Sequence, residues 1–86
     1  MTRLWAEGEE INVELGTAGW PARFTWQGRA HPVQNIHQRW QVDGDWWSDA
    51  GYAWREYMAV TTGDGLFCVI YFDLITQQWH LSRLYD

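Results

Sequence analysis

The side chains best suited to bind another molecule are two adjacent tryptophans, Trp46 and Trp47. Adjacent residues of an extended chain point in opposite directions, so one indole can enter the core while the other faces outward. The structural alternative is that one ring closes the end of a barrel and the other covers its rim, since aromatic residues are both core material and interface anchors. The chain contains eight tryptophans in 86 residues. That number exceeds what one small core needs, so we expect some of them to face solvent or a partner.

Arginine is the second residue type with binding chemistry, because all six basic residues are Arg and none is Lys. Arginines interleaved with aromatic residues are what a single-stranded nucleic-acid surface requires. They also serve cation–π packing and Arg–carboxylate pairing on a β-surface, and the net charge of −5 favours that structural interpretation. The candidate binding residues are Trp46, Trp47, Arg39, Trp40, Arg55 and Tyr57. A framework ion pair between Arg55 and Asp73 is the default expectation, and an exposed Arg55–Tyr57 recognition pair is the alternative.

The residues that enzymes and metal sites use form no recognisable pattern. His31, His37 and His80 are scattered, without an H-x-H or C-x-x-C spacing, so we expect no metal site and no cofactor. Ser48 and Ser82 do not lie in a glycine-flanked nucleophile elbow. The absence of lysine excludes a Schiff-base lysine and a phosphate-loop lysine. We therefore expect a protein that is not an enzyme.

Strands must position these side chains, because alternation of apolar and polar residues with period two recurs along the chain. Turn signals separate the apolar stretches, among them Gln27-Gly28 and Gly63-Asp64-Gly65, and a further turn is expected at Asp43-Gly44-Asp45. The predicted strands are 11–15, 24–26, 31–42, 54–62, 66–73 and 79–85. Short connections between them predict an all-β fold, an antiparallel meander of five to six strands forming a small barrel or strongly curved sheet.

One predicted strand departs from strict alternation. The step from Val33 to Ile36 spans three residues, which predicts a bulge or bend that lets one strand serve two parts of a curved sheet. A helix is the competing interpretation, because residues 33, 36 and 40 would share a helical face. The preceding Pro32 and the weak helix formers of this stretch favour the strand.

The length fits one domain over residues 1–86, with residues 1–8 expected to form a loosely ordered N-terminal arm. No apolar run approaches the thickness of a bilayer and the first residues carry no apolar signal region, so we expect no membrane contact and a cytoplasmic location. Cys68 lies alone in an apolar stretch and is expected to be a small core residue, which suits a reducing compartment.

Several stretches of the chain together resemble a known family. They are Arg39-Trp40, Trp46-Trp47, Arg55-Glu56-Tyr57, Asp73-Leu74-Ile75-Thr76 and Trp79. With this spacing, residues 9–86 resemble a family of small bacterial proteins of unknown function. Residues 36–81 are similar to the C-terminal segment of inactive Y-family DNA-polymerase-like proteins of the bacterial mutasome. The family of small proteins usually has glycine in place of Gln77, so the resemblance implies a turn that is either strained by glutamine or of another type.

Together, these observations predict a non-catalytic protein-interaction module. The resemblance implies a protein partner in bacterial DNA-damage tolerance or repair. The alternative is a single-stranded nucleic-acid binding module that uses Trp40, Trp46, Trp47 and the arginines. If the barrel is open, Ile11–Leu15 or Trp79–Tyr85 would be a free edge through which a homodimer forms.

Overall fold

The computed structural model describes the backbone of residues 2–44 and 53–85 and the side chains of residues 8–43 and 54–85. Trp46 and Trp47, with the predicted aromatic loop, lie outside the described residues. The described chain forms six antiparallel strands that close into a barrel in sequential order, β1 to β6. They are β1 (Thr2–Leu15), β2 (Pro21–Trp26), β3 (Arg29–Gly44), β4 (Ala53–Thr62), β5 (Phe67–Asp73) and β6 (Gln78–Tyr85). The prediction of an all-β antiparallel meander is confirmed.

The barrel consists of two sheets that share the two longest strands. β3 pairs with β2 through residues 29–32 and with β4 from Val33 onward. At the start of the part paired with β4, its register shifts twice, once between Val33 and Asn35 and once between Ile36 and Gln38. Each bulge adds an unpaired residue and bends the strand, so β3 can leave one sheet and enter the other. The predicted bend is therefore confirmed and the helical interpretation of this stretch is wrong.

β1 turns the opposite corner of the barrel. Residues 2–11 pair with β6 and residues 12–15 pair with β2. The register shifts between Leu4 and Glu9, and Gly8 within this interval has a φ of 75°. A Cβ atom on Gly8 would lie 2.7 Å from Tyr71 Oη and 2.8 Å from His80 Cβ. Glycine therefore supplies both the left-handed conformation and the close approach of β1 to the neighbouring strands.

Three elements differ from the sequence prediction in their extent. β1 begins at Thr2, and residues 2–4 pair with residues 83–85 in the place of the expected arm. β3 continues through Asp43 and Gly44, which pair with residues 54 and 53, so these two residues do not form the expected turn. Of the two predicted edge strands, Trp79–Tyr85 is paired on both sides, by β5 and β1, whereas Ile11 pairs with β6 and residues 12–15 pair with β2. The open barrel on which the homodimer expectation depended is not observed.

The interior is filled by inward-facing apolar side chains from every strand except β3, whose Val33 and Ile36 pack against it in a partly buried state. The core residues are Ile11, Phe24, Trp26, Met58, Val60, Cys68, Ile70, Leu81 and Leu84. Trp26 also donates a hydrogen bond from Nε1 to Glu9 Oε2 at 2.6 Å. Burial raises the pKa of the Cys68 thiol to about 12, because an apolar interior disfavours the thiolate.

A polar cluster joins the β4–β5 turn to β3. His31 is 4% exposed, and its Nδ1 lies 2.8 Å from Asp64 Oδ2. Thr62 donates a hydrogen bond to Asp64 Oδ1 at 2.5 Å and accepts one from the Leu66 backbone N–H at 3.0 Å. The hydrogen bonds from Thr62 and His31 hold the pKa of Asp64 below its ordinary value, because they stabilise the carboxylate. His31 is thus a satisfied buried histidine.

Two turns depend on residues with positive φ. Gln27 and Gly28 have φ values of 52° and 76° and connect β2 to β3, as a two-residue hairpin turn with positive φ at both positions requires. Gln77 has a φ of 60° in the turn between β5 and β6, which is the strained one of the two alternatives that the resemblance implied. Within the described residues, no helix is long and apolar enough to cross a membrane.

Candidate functional site: an aromatic groove on the outer sheet

The outer surface of β3 to β6 carries a row of four rings, here called the first aromatic row. Its members Trp40, Tyr57, Tyr71 and His80 are cross-strand neighbours. The ring centroids lie 5.5 Å apart for Trp40–Tyr57, 5.0 Å for Tyr57–Tyr71 and 4.9 Å for Tyr71–His80. Cross-strand partners share one face of a sheet, so the register itself assembles the row. The row runs perpendicular to the strands, and its member Tyr71 is buried, at 2% exposure.

A second aromatic row runs parallel to the first. His37, the extra residue of a β3 bulge, stacks on Phe67 with centroids 5.8 Å apart, and Phe67 meets the edge of Tyr85 at 5.2 Å. His37 Nε2 is also within hydrogen-bond distance of Thr61 Oγ1, at 3.1 Å. Phe67 is 42% exposed and Tyr85 is 38% exposed. Since these rings remain accessible on a well-paired sheet, they are available to a ligand.

Between the two aromatic rows the sheet surface is low, because its central side chains are small. Ala59 and Val69 are paired neighbours on β4 and β5, and both are buried beneath the flanking rings. The resulting depression, here called the aromatic groove, has a volume of about 410 Å³. It is lined by Gln38, Trp40, Val42, Tyr57, Ala59, Phe67, Val69, Ser82, Arg83 and Tyr85.

The sheet geometry determines what fits the aromatic groove. Neighbouring strands lie about 4.8 Å apart, so a groove that crosses three gaps from β3 to β6 is about 14 Å long. Its walls are represented by Tyr57 on β4 and Phe67 on β5. The register partner of Phe67 on β4 is Thr61, four residues from Tyr57, so the walls are about 13 Å apart. An extended chain advances about 3.4 Å per residue, so the groove accommodates one extended segment of about four residues.

Arg83 is the cation of the aromatic groove. Its Nη1 donates a hydrogen bond to Tyr85 Oη at 3.0 Å, and its Cζ lies 5.9 Å from the centroid of that ring. Among the described residues, no carboxylate forms an ion pair with Arg83. Arg83 is exposed and its guanidinium carries five N–H donors, so donors remain besides the one that binds Tyr85.

Arg55 has a different environment at the end of the first aromatic row. Its Cζ lies 4.7 Å from the centroid of Tyr71, and its Nη1 donates a long hydrogen bond of 3.4 Å to Tyr57 Oη. Asp73 is its cross-strand partner, but the expected Arg55–Asp73 ion pair is not among the ion pairs of the described residues. The Asp73 carboxylate instead accepts hydrogen bonds from the backbone N–H groups of Ile75 and Thr76. Arg55 is therefore a partly buried framework residue that supports the row, and it contacts both Tyr57 and Tyr71.

Arg39 does not join the other candidate binding residues. Its register partner is the core residue Met58, so Arg39 points to the face opposite Trp40. There its Nη2 lies 2.5 Å from Glu56 Oε1, and its Cζ lies 4.5 Å from the Trp20 ring centroid. The structure thus brings Trp40, Tyr57 and Arg55 together and separates Arg39 from them, while Trp46 and Trp47 lie outside the described residues.

Sequence reasoning missed most of the groove. Phe67 and Val69 are not among the candidate residues, because the stretch from Leu66 to Asp73 is apolar on both faces, a pattern typical of a fully buried strand. Arg83 is included only among the arginines of the nucleic-acid alternative. The available signal was the position of Phe67, Val69 and Tyr71 on one face of that strand, next to Tyr85 and Arg83 at alternate positions near the C-terminus.

The expectation of exposed tryptophans is confirmed for part of the chain. Trp20, Trp40 and Trp54 are 40%, 37% and 38% exposed, whereas Trp26 is a core residue. Trp20 lies at a second depression, of about 510 Å³, which the bent part of β3 from Val33 to Arg39 lines on its other side. Within the described residues, no group of three His, Cys, Asp or Glu side chains is arranged to hold a metal ion.

Comparison with known proteins places the chain in a family. The model of a domain of unknown function, DUF6504, matches residues 5–86. The chain belongs to the DUF6504 family. No curated protein and no solved structure matches this DUF6504 chain. The matched range includes all six strands apart from the first residues of β1, so the aromatic groove lies within the DUF6504 domain.

Proposed function

We propose that this DUF6504 domain is a non-catalytic protein-interaction module that holds a short extended segment of a partner protein in the aromatic groove. The observation that carries the proposal is the groove itself: two aromatic walls, a floor of Ala59 and Val69, and a width suited to one polypeptide chain. Rigid aromatic side chains around a small apolar depression are typical of interface anchor sites.

The arrangement of the rings favours a peptide over nucleic-acid bases. Trp40 and Tyr57 lie nearly parallel, at 5°, and Tyr57 packs in turn against Tyr71, so the row uses its ring faces internally. Base stacking needs free ring faces and a track of cations along the phosphates. The chain has a net charge of −5. A single-stranded nucleic acid remains the alternative ligand, supported by Trp40, which ends the row and is 37% exposed.

The resemblance of residues 36–81 to the C-terminal segment of inactive Y-family polymerase-like proteins supports a more specific proposal. The partner segment would belong to a protein of bacterial DNA-damage tolerance or repair. A two-hybrid screen of a whole-genome bacterial library with wild-type bait, repeated with a groove-blocked bait, tests this setting. Interactions confined to proteins outside DNA repair would refute it.

The groove is tested by selecting binders from a phage-displayed library of random linear peptides. The wild-type domain is used for selection and Ala59→Arg, which fills the floor, for counter-selection. Ala30→Arg is the matched control, because Ala30 is exposed on β3 away from the groove. Phe67→Ala, which removes an exposed wall without touching the core, is a second variant should Ala59→Arg fail to fold by circular dichroism.

The expected result is a set of peptides that bind wild type and Ala30→Arg but not Ala59→Arg, with weakened binding to Phe67→Ala. Failure to select any peptide that distinguishes wild type from the groove variants would overturn the proposal.

Titration of intrinsic tryptophan fluorescence with a single-stranded oligothymidine tests the alternative. Quenching that falls steeply with salt and is lost in the groove variants would support nucleic-acid binding.

A further inference from the structure

We infer that the bound segment carries an Asp or Glu side chain that pairs with Arg83. Two positions away in the same segment, an apolar side chain packs on Ala59 and Val69. This inference rests on the proposed function, because it specifies the occupant of the aromatic groove. It assigns the groove a polarity, with an apolar centre and an anion-binding end on β6.

The first support is that Arg83 is exposed in the wall of the groove and, like Arg29 elsewhere on the barrel, forms no ion pair among the described residues. Arg23 is paired with Glu14, and Arg39 is paired with Glu56. Arg83 has no such carboxylate among the described residues, although the whole chain is acidic. Its hydrogen bond to Tyr85 Oη restrains the guanidinium in the groove wall and reduces the conformational entropy that binding would cost.

The second support is the distribution of chemistry along the groove. Gln38 at the β3 end is uncharged, Ala59 and Val69 form an apolar centre, and Arg83 with Ser82 forms the β6 end. The planar guanidinium matches a carboxylate through two parallel N–H···O bonds. A carboxylate is therefore expected at one end of the ligand and an apolar group in the middle.

The spacing between the apolar and the acidic side chain of the ligand follows from the distance between neighbouring strands of the sheet. The centre of the floor lies about one and a half strand spacings from β6, or roughly 7 Å. Two residues of an extended chain span about 6.7 Å, and side chains two apart point to the same side. The ligand pattern is therefore an apolar residue and an acidic residue separated by one position, in one chain direction or the other.

A phosphate of a nucleic acid is the weaker match to the same guanidinium. Nucleic-acid strands are held by several cations along their backbone. Within the described residues, the groove offers one unpaired arginine beside an apolar floor. A single cation beside an apolar surface is complementary to an acidic, partly apolar peptide.

A charge-reversal selection tests the inference. The same peptide library, fused through the peptide C-termini so that only side-chain carboxylates are offered, is selected against wild type, Arg83→Glu and Arg29→Glu. Arg29 is an exposed arginine at the start of β3 and serves as the matched control. Selected peptides are then resynthesised, and their affinities for wild type and Arg83→Gln are measured by isothermal titration calorimetry.

Wild type and Arg29→Glu are expected to enrich Asp or Glu two positions from an apolar residue, and Arg83→Glu is expected to enrich Lys or Arg there. Arg83→Gln should weaken a wild-type peptide by about tenfold to a hundredfold, the range that a charge-assisted hydrogen bond contributes. If the peptides selected against Arg83→Glu depend on the groove but carry the same charges as those selected against wild type, the inference is overturned and the proposed function stands. Absence of any groove-dependent peptide, or binding of oligothymidine alone, would overturn both.

Discussion

Replacing Gln77 with glycine is expected to stabilise the protein, although it removes a side chain. Gln77 has a φ of 60°, and the left-handed conformation costs a residue with a Cβ atom about 1–2 kcal/mol. Glycine avoids this cost but loses about 0.5–1 kcal/mol through the greater freedom of the unfolded chain. The net expected gain is about 0.5–1 kcal/mol, which corresponds to a rise in Tm of about 2–8 °C for a domain of this size.

Few other terms change in this substitution. The Gln77 side chain is exposed, and the hydrogen bond from its backbone N–H to the Asp73 carbonyl, 2.7 Å long, is kept by glycine. Thermal unfolding followed by circular dichroism measures the change in Tm. Gln27→Gly, at a φ of 52°, should give a gain of similar size. Gln41→Gly, within the regular part of β3, should lower the Tm because glycine is unfavourable in a strand.

A lower Tm for Gln77→Gly, or equal effects of Gln77→Gly and Gln41→Gly, would refute this reasoning. The first result would mean that the turn is not strained by glutamine. The second would mean that the φ of the position does not determine the effect of glycine.

Three further predictions concern the rest of the fold. Gly8→Ala should destabilise the domain by about 2 kcal/mol or more, because the added methyl meets Tyr71 and the positive φ is lost; an unchanged urea midpoint would contradict this. The pKa of Asp64 is lowered in the folded state from an ordinary value of 3.8, so its contribution to stability is present above that value and is lost as the pH falls through the lowered pKa. Asp64→Asn should therefore reduce the loss of Tm on acidification below about pH 4, and parallel Tm curves for wild type and variant would refute the assignment. Burial of Cys68, whose pKa is raised to about 12, predicts that a thiol reagent labels it at the rate of unfolding and rapidly in guanidinium chloride; fast labelling of the folded protein would count against its place in the core.

Sequence alone predicted the strands well where the signal is local. Alternation marked Ile11–Leu15, the positive-φ turn at Gln27 and Gly28 separated β2 from β3, and the irregular step after Val33 marked the bend. Each of these signals depends on the backbone preferences of a few neighbouring residues. The extents of β1 and β3 were underestimated, because their ends are held by pairing with distant strands and not by their own alternation.

The candidate site was predictable only in part, and the bulges of β3 give the reason. The bulge between Ile36 and Gln38 shifts the facing of the following side chains by one position relative to Ile36, so Trp40 turns outward beside Tyr57 while Arg39 turns to the face of Met58. A sequence in which Arg39 and Arg55 both flank aromatic residues does not reveal that they lie on opposite faces.

The sequence by itself determined that this DUF6504 chain is built from antiparallel strands with an aromatic-rich surface, because strand formation and turn geometry follow from residue type and short-range periodicity. Only the tertiary structure decided which rings meet, since the aromatic rows exist through the register between strands that are distant in sequence. Ala59 and Val69 became the floor of a groove, and Arg83 its unpaired cation, because closure of the barrel aligned β4, β5 and β6 at those positions. Register is a property of paired strands and is therefore absent from any single stretch of the chain.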